Sequence, residues 1–461
     1  MKEVIDYLNG QFDAKKEELL NEFFTFLRFK SISADPEYES EIKACANWIV
    51  EYLDDIGFKT QLLEGDKPCI FAERIIDPSF PTILVYNHYD VQPVDPIELW
   101  ESPPFEPEIR NGEIYARGAE DNKGQCFYVL RALKELSSSK DFPQINLKLL
   151  IEGEEETGSK SLPGIFSAHK ELFKSDYLFI IDSGFTSMTK PAITLGCRGI
   201  VTMTVELQGS SGDLHSGEHG GIVYNPLHGM IELLAKLRNE ETGEIKIPGF
   251  YDDVAILSDE QKKSYSLALD PEFYRNMFHA EMNGGEKNYS PLESAWLRPT
   301  LEINGLSGGY AGPGFKTVIP AKATAKISAR LVPDQNPKNI AKLISDYLTE
   351  HTPSGLKLEI TNVSDGGYPF RSSADSKACL IARKAYEGVL GLPCENILAG
   401  GSIPIAADLQ MATSAETVLI GYGLPDDQIH APNEHFGIDR IKKGMATFGA
   451  ILSLIATEDK S

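Results

Sequence analysis

Acidic and imidazole side chains follow three apolar runs of the sequence. The run TILVY precedes a segment with His88 and Asp90, the run INLKLLI precedes one with Glu155 and Glu156, and the run DYLFII precedes Asp182. Imidazole and carboxylate groups bind divalent cations such as Zn²⁺, and a catalytic site keeps one position open for water. One such cluster is typical of an ordinary polar loop. Three in succession, all of metal-ligand type, predict a metal centre.

The types and spacing of these residues suit a pair of cations. Two ions about 3.5–4 Å apart can share a bridging acid and a hydroxide, and both can polarise a substrate carbonyl. Asp121, in the glycine-flanked turn RGAEDNKGQ, is well placed to bridge, although an aspartate before a helix is also an ordinary N-cap. Side chains two residues apart point to the same side of an extended segment, so Asp90 lies on the side of His88. Asp90 can then accept the N–H of the His88 ring nitrogen that does not bind metal. Glu155 and Glu156 would face opposite ways at a strand end, so that one ligates while the other remains free as general base.

The elements that position these residues read as an α/β fold. TILVY (82–86), INLKLLI (145–151) and DYLFII (176–181) are short apolar runs of the kind found in buried strands. Helical periodicity marks 41–56, which ends before a glycine, and 122–136. Strands that alternate with helices predict a largely parallel sheet, and ligands bind such sheets beyond the carboxyl ends of the strands.

The middle of the chain predicts a second domain. Segments 199–209 and 226–239 read as a strand and a helix, and two strands, a helix and a last strand follow up to residue 363. This β-α-β, β-α-β order is the signature of a ferredoxin-like α+β unit, here with an irregular insert from Pro248 to about Leu297. We therefore expect a catalytic domain in two pieces, 1–199 and 377–461, with a second domain over 200–376 inserted between them.

Composition restricts the partners and the compartment. The net charge of −24 argues against nucleic acid or an anionic membrane as the main partner, because both need a basic surface. The first 29 residues read as one amphipathic helix and not as a signal peptide, and no run approaches the roughly 18 apolar residues of a membrane span. The six cysteines are scattered without a CxxC pair, which favours reduced thiols. We expect a cytoplasmic protein.

Six motifs jointly resemble one family. YNHYDVQPVDPIELWESPPF, IYARGAEDNKGQ, EGEEETGSKSL, IIDSG, GSSGDLHSG and IHAPNEHF are similar to segments of the zinc-dependent exopeptidases that include carnosinase-type dipeptidases, aminoacylase and succinyl-diaminopimelate desuccinylase. The motifs occur in the family's order, and the resemblance runs from about Glu17 to about Phe448. It implies a di-metal exopeptidase catalytic domain with an inserted lid that also dimerises.

The resemblance also implies roles for individual residues. His88 would bind one metal and His430 the other, and Asp121 would bridge them, followed by a cis peptide bond. Glu156 would complete the shell of one ion and Asp182 that of the other. A further set would act beside the metals: Glu155 as general base and then acid, Asp90 orienting His88, His215 from the partner subunit stabilising the oxyanion, Arg330 holding the substrate carboxylate, and Thr317, Gly401 and Ser402 contacting the substrate.

Three functions follow from these observations. The first is hydrolysis of the amide bond of dipeptides or short peptides by a metal-bridging hydroxide, favoured by LWESPPF, EGEEETGS and the large insert. The second is an N-acyl amino-acid deacylase or desuccinylase that uses the same centre. The third, a non-catalytic binding protein, predicts a broken metal shell, whereas every expected ligand is present. The shell suits Zn²⁺, although oxygen-rich shells also accept Mn²⁺ or Co²⁺.

Overall fold

A computed structural model of the chain describes residues 1–139, 142–267, 269–364, 366–401 and 404–458. These residues form two compact units. The first unit comprises Met1–Gly196, Ser372–Ile397 and Asp408–Ser461, and the second comprises Cys197–Arg371 and Leu398–Ala407. Leu398–Ala407 therefore belongs to the second unit, whereas the sequence predicts that this segment is part of the catalytic domain.

The helices are, in chain order, α1 (Lys2–Ala14), α2 (Lys16–Arg28), α3 (Glu39–Asp55), α4 (Lys123–Ser137), α5 (Leu162–Ala168), α6 (Lys170–Phe173), α7 (Ser216–His219), α8 (Pro226–Ala235), α9 (Asp259–Lys263), α10 (Pro271–Phe278), α11 (Pro291–Trp296), α12 (Pro337–Glu350), α13 (Lys377–Leu390), α14 (Pro404–Thr413) and α15 (Ile438–Glu458). None of those that the structure describes combines the length and the apolar character that crossing a bilayer requires.

The strands are, in chain order, β1 (Lys59–Leu63), β2 (Cys69–Arg74), β3 (Thr82–His88), β4 (Glu108–Arg110), β5 (Glu113–Tyr115), β6 (Asn146–Glu152), β7 (Tyr177–Ile181), β8 (Ala192–Cys197), β9 (Gly199–Gln208), β10 (Leu214–His215), β11 (Thr300–Gly308), β12 (Val318–Ile319), β13 (Lys322–Leu331), β14 (Lys357–Thr361), β15 (Phe370–Arg371), β16 (Glu395–Ala399), β17 (Glu416–Ile420) and β18 (His435–Gly437).

The first unit is built around a mixed sheet with the order β1-β2-β6-β3-β7-β17-β8. Its centre, β6-β3-β7-β17, is parallel, so the carboxyl ends of these four strands meet at one rim. Strands β3, β6 and β7 are almost entirely buried and carry mostly apolar side chains, as expected for parallel strands covered on both faces. The predicted α/β class is confirmed, and the sheet is mixed, with a parallel centre and antiparallel pairings on both sides of it.

The N-terminal segment differs from the prediction of one amphipathic helix. It forms α1 and α2, which are separated by a break at Lys15 (φ −119°, ψ 19°). The Lys15 ammonium lies 2.7 Å from the buried carboxylate of Glu135 on α4, and the two helices bury separate apolar faces. Helical periodicity continues across a one-residue break, so the pattern alone does not reveal it.

The second unit contains an antiparallel four-stranded sheet in the order β11-β13-β9-β14. With helix α8 after β9 and helix α12 after β13, this order is that of a ferredoxin-like fold, as predicted. Helix α12 presents an apolar stripe, including Ile340 and Ile344, to the buried core that the sheet forms. The predicted fold of this domain is therefore confirmed.

Candidate metal centre

The carboxyl rim of the parallel strands brings the first group of acidic and imidazole side chains together. His88 is the last residue of β3, and Asp182 follows the last residue of β7. The backbone N–H of Asp182 donates to the carbonyl of Ile420 (3.1 Å), which fixes this residue at the same rim. His88 Nε2 lies 3.7 Å from Asp182 Oδ1 because adjacent parallel strands end at the same level.

Asp121 lies between the two histidines. Its Oδ1 is 3.1 Å from His88 Nε2, and its Oδ2 is 2.9 Å from His430 Nε2. His430 Nε2 is also 3.3 Å from Glu156 Oε2. The Asp121–Asn122 peptide bond is cis, as the resemblance implied. The structure therefore brings together all five residues predicted as metal ligands, and Asp121 turns one oxygen to each side.

These side chains fit a pair of cations. Ligand atoms of His88, Asp121 and Asp182 all lie within 4.8 Å of one another, and so do those of Asp121, Glu156 and His430. Asp121 belongs to both groups. Imidazole and carboxylate are the donors of catalytic zinc sites, and a shared carboxylate is the expected bridge of a two-metal site. Three acids concentrated around two imidazoles also leave negative charge that a cation would neutralise.

The electrostatics of the ligand-bearing side chains indicate the same need for positive charge. Hydrogen bonds to Asp121 and Glu156 raise the pKa of His430 to about 10. Burial lowers the pKa of His88, but the surrounding carboxylates outweigh burial and hold this pKa well above its ordinary value. Without a metal, the His430 ring is therefore protonated on both nitrogens at neutral pH, and a cation would replace one of those protons.

Asp90 contacts both the His88 ring and the turn that carries Glu155 and Glu156. Its Oδ1 is 3.3 Å from His88 Nδ1, the ring nitrogen that faces away from Asp121. The same carboxylate accepts the backbone N–H groups of Glu155 (3.2 Å) and Glu156 (3.0 Å). A single buried acid therefore contacts one predicted metal ligand and the turn that carries another. The backbone contacts go beyond the predicted orienting role.

Glu155 and Glu156 do not lie at a strand end, in contrast to the prediction. Strand β6 stops at Glu152, and Glu155–Thr157 forms one turn of 3₁₀-helix. The turn is held by Asp90 and is closed by Gly158 at φ +92°, a conformation that glycine adopts without strain. The two side chains still differ in environment. Glu156 faces His430, and burial raises the pKa of the Glu155 carboxyl well above its ordinary value.

The second unit carries the remaining predicted residues, except one. His215 and Thr317 are exposed neighbours, because β10 pairs with β12 and the Ser216 N–H donates to the Thr317 carbonyl (3.1 Å). Arg330 is half-buried on β13. The carbonyl of Gly401 accepts the backbone N–H of Arg198 (3.0 Å). The substrate contact predicted for Ser402 lies outside the described residues.

Several residues that the sequence analysis did not single out hold the ligands in place. The Asn122 side chain donates to Asp182 Oδ1 (2.8 Å), and Asn87 donates in turn to Asn122 Oδ1 (2.7 Å). Gln92 donates to Glu156 Oε2 (2.7 Å). Glu434 contacts the backbone of the Asp121 turn. Their only signal in the sequence is that they flank the ligand motifs, and polar residues that flank a motif are usually surface residues.

The fold and the centre define a class of protein, a metallohydrolase with an α/β catalytic unit. The chain matches the model of peptidase family M20/M25/M40 over residues 84–454 and therefore belongs to that family. It is 31% identical to the Cys-Gly metallodipeptidase dug1 of Schizosaccharomyces pombe, with 97% of this chain and 98% of that protein covered. The identity to the human Beta-Ala-His dipeptidase is 34%, over 83% of this chain and 76% of that protein.

A solved structure agrees with these sequence relatives. The chain superposes on an M20 family metallo-carboxypeptidase from Sulfolobus solfataricus, Sso-CP2, with a TM-score of 0.85 and 32% identity, covering 95% of this chain and 99% of that one. The family that the motifs resemble is therefore confirmed. The chain is an enzyme of the metallopeptidase class, and a non-catalytic binding protein is not supported.

Proposed function

We propose that this chain is a two-metal dipeptidase that hydrolyses the amide bond of dipeptides or short peptides. One observation carries the proposal: the two Asp121 carboxylate oxygens lie 3.1 Å and 2.9 Å from two different histidines. The Cys-Gly and Beta-Ala-His dipeptidases to which the chain is similar support dipeptides as the substrate class. They favour this function over deacylation of N-acyl amino acids.

The two groups of ligand residues would each hold one ion. His88, Asp121 and Asp182 form the first, and Asp121, Glu156 and His430 form the second. When bound, the cation pair polarises the scissile carbonyl and lowers the pKa of water to near neutrality. We propose Zn²⁺ as the metal, because the shells combine imidazole with carboxylate, and keep Mn²⁺ and Co²⁺ as alternatives.

Glu155 is the proposed general base. Among the described residues, its carboxylate makes no hydrogen bond or ion pair, although it is mostly buried beside the ligands. A carboxylate with a raised pKa can accept a proton from the attacking water at its Oε and deliver that proton to the leaving amine nitrogen. Asp90 keeps Glu155 in place through the backbone N–H.

The second unit is proposed to act as a lid and to supply substrate contacts. Arg330 would pair with the substrate carboxylate, for which a planar guanidinium suits a bidentate contact. His215 would donate to the developing oxyanion in the active site of a partner subunit, while Thr317, Gly401 and Ser402 would contact the substrate. The exposure of His215 and Thr317 supports a role outside their own unit.

We also propose a cytoplasmic homodimer. Strand β11 lies at the edge of the four-stranded sheet, and it exposes Ile303 and Leu306 beside the exposed Ile231 of α8. An apolar surface along an open sheet edge favours pairing with a second copy. The cytoplasmic location is supported by the six cysteines, all of them free and five of them buried.

The test is hydrolysis of a small panel by protein reconstituted with Zn²⁺. The panel contains unmodified dipeptides, a tripeptide, longer peptides, and N-acetylated and N-succinylated amino acids. Cleavage of dipeptides with a free amine is the expected result. Cleavage confined to acylated amino acids would refute the dipeptidase proposal and leave the ligand assignments intact. Cleavage confined to longer peptides would instead indicate a carboxypeptidase.

A further inference from the structure

A second buried carboxylate lies behind the bridging aspartate. Glu434 follows His430 by four residues, and its side chain is 0% exposed. Its Oε1 accepts the backbone N–H groups of Glu120 and Asp121, both at 3.0 Å. Its Oε2 accepts the backbone N–H of Gly118 (2.9 Å) and the Arg117 guanidinium (2.7 Å). All four donors belong to one segment, which ends at Asp121.

The backbones of the two segments are also joined. The N–H of Ala116 donates to the carbonyl of Glu434 (3.1 Å), and β18 pairs with β5 immediately beyond. Gly118 adopts φ +80°, and a Cβ at this position would lie 2.7 Å from Val91 Cγ1. The tight turn that directs successive N–H groups at Glu434 therefore requires glycine at this position.

This arrangement is more than a buried ion pair. Arg117 already neutralises the Glu434 charge, and a pair alone would need no contact with the backbone N–H groups of the residues that follow Arg117. Three of the four hydrogen bonds instead hold the backbone that presents Asp121. Metal–ligand distances deviate by only about 0.2 Å from their preferred values. Substitution of residues that orient the ligands typically lowers metal affinity about 10- to 100-fold. Since Asp121 belongs to both ligand groups, a shift of its backbone would disturb both.

We infer that Glu434 is a positioning residue: it joins the segment that presents Asp121 to the segment that carries His430 and thereby sets the position of Asp121 relative to His430. This inference rests on the metal centre of the proposed function. The role is exerted through the backbone, so Glu434 does not touch the substrate or the reacting atoms.

The test uses Glu434→Gln and Zn²⁺ alone. An amide keeps one acceptor oxygen but turns an NH₂ group towards N–H donors, so at least one contact with the Asp121 segment is lost. We expect the apparent Zn²⁺ affinity of the metal-free protein, measured by competition with a chromophoric chelator, to fall about 10- to 100-fold. Glu135→Gln is the matched control. Glu135 is a buried acid paired with Arg131 (2.6 Å), and its contacts lie outside the ligand groups.

The melting temperature of the metal-free proteins separates positioning from stability. Both variants should melt below the parent chain, but only Glu434→Gln should lose Zn²⁺ affinity. A folded Glu434→Gln protein that binds Zn²⁺ like the parent chain would overturn the inference. If this variant does not fold, Glu434→Asp replaces it. The shorter acid keeps its charge but cannot contact all four donors of the Asp121 segment. Wild-type affinity in folded Glu434→Asp would likewise overturn the inference. No peptide is used, so failure of the dipeptide panel would not alter these results.

Discussion

The carboxyl rim of the first unit and the β10–β12 region of the second unit represent two ways of carrying functional side chains. At the rim, Asp121 is surrounded by protein groups that fix both its side chain and its backbone. In the second unit, His215 is exposed, and the one hydrogen bond of its ring to any residue that the structure describes is from the nearby N–H of Gly217 to Nδ1 (3.0 Å). Contacts within the first unit fix the positions of the rim side chains. The local contact with Gly217 does not fix the His215 ring in a catalytic geometry.

This difference agrees with the roles proposed for the two regions, metal binding at the rim and contact with bound substrate in the β10–β12 region. Metal ligands need fixed positions, and buried hydrogen bonds provide them. A donor that acts only when substrate is bound can remain exposed until a partner or a closing lid completes the site. Substitutions of the candidate metal ligands at the rim should therefore affect metal binding, and substitutions in the β10–β12 region should affect turnover alone.

The largest effect is expected for Asp121→Ala. The Asp121 carboxylate, the proposed bridge, belongs to both ligand groups, so its removal should release both ions, whereas loss of Asp182 or Glu156 should mainly release one. Dipeptide turnover should fall by more than the roughly 10³-fold that loss of one transition-state donor costs. Metal analysis of the purified variants checks this order. Retention of both ions by Asp121→Ala would contradict a bridging role.

A smaller effect, about 10²- to 10³-fold in kcat, is expected for His215→Ala, with metal content unchanged. If His215 acts in the partner's site, mixing His215→Ala chains with inactive Glu155→Gln chains should restore activity, because a mixed dimer contains one intact site. Tagged chains allow mixed dimers to be isolated. Mixed dimers without activity would refute the action in trans.

Asp90→Asn tests the support beneath the rim and should reduce kcat/KM about 10- to 100-fold. The amide preserves the size of the side chain but cannot accept both backbone N–H groups and the His88 ring. The loss should include a weaker affinity for the ion at His88. An unchanged affinity, measured by chelator competition, would limit Asp90 to holding the Glu155 turn.

The smallest expected effect is the release of protons when Zn²⁺ binds to the metal-free protein. Since the metal-free His430 has a pKa of about 10, its ring is charged at pH 7–8 and must lose a proton when a cation binds. Zn²⁺ uptake should therefore release about one proton or more per chain at pH 7–8, and the release from His430 should disappear as the pH rises through about 10. Titration in a weakly buffered dye solution measures the release. Zn²⁺ uptake at pH 7 without proton release would contradict this electrostatic description.

The clustering of these candidate ligands was predictable because they coincide with an abrupt change in the sequence. An apolar run ends and a residue of metal-ligand type follows at His88 and Asp182, so periodicity and residue type give the same indication. His430 lacks this signal, since it follows no apolar run, and only the motif resemblance identified it.

The supporting contacts were not predictable from local pattern. Glu434 and Asp121 are 313 positions apart in the chain, and their contact depends on the packing of the whole unit. Glu155 lies in a 3₁₀ turn and not at the predicted strand end, because the backbone N–H groups of this turn donate to Asp90. This contact too joins residues that are distant in the sequence. Periodicity describes which face is buried and contains no information on such pairings.

Glu156 is proposed to hold metal, and the adjacent Glu155 to move the proton. Activity and metal content of Glu155→Gln, measured on the same reconstituted sample, distinguish these two roles. We predict about two Zn²⁺ per chain, as in the parent protein, together with a loss of dipeptide turnover of about 10²- to 10⁴-fold. Loss of an ion from this variant, or turnover close to that of the parent chain, would contradict the account.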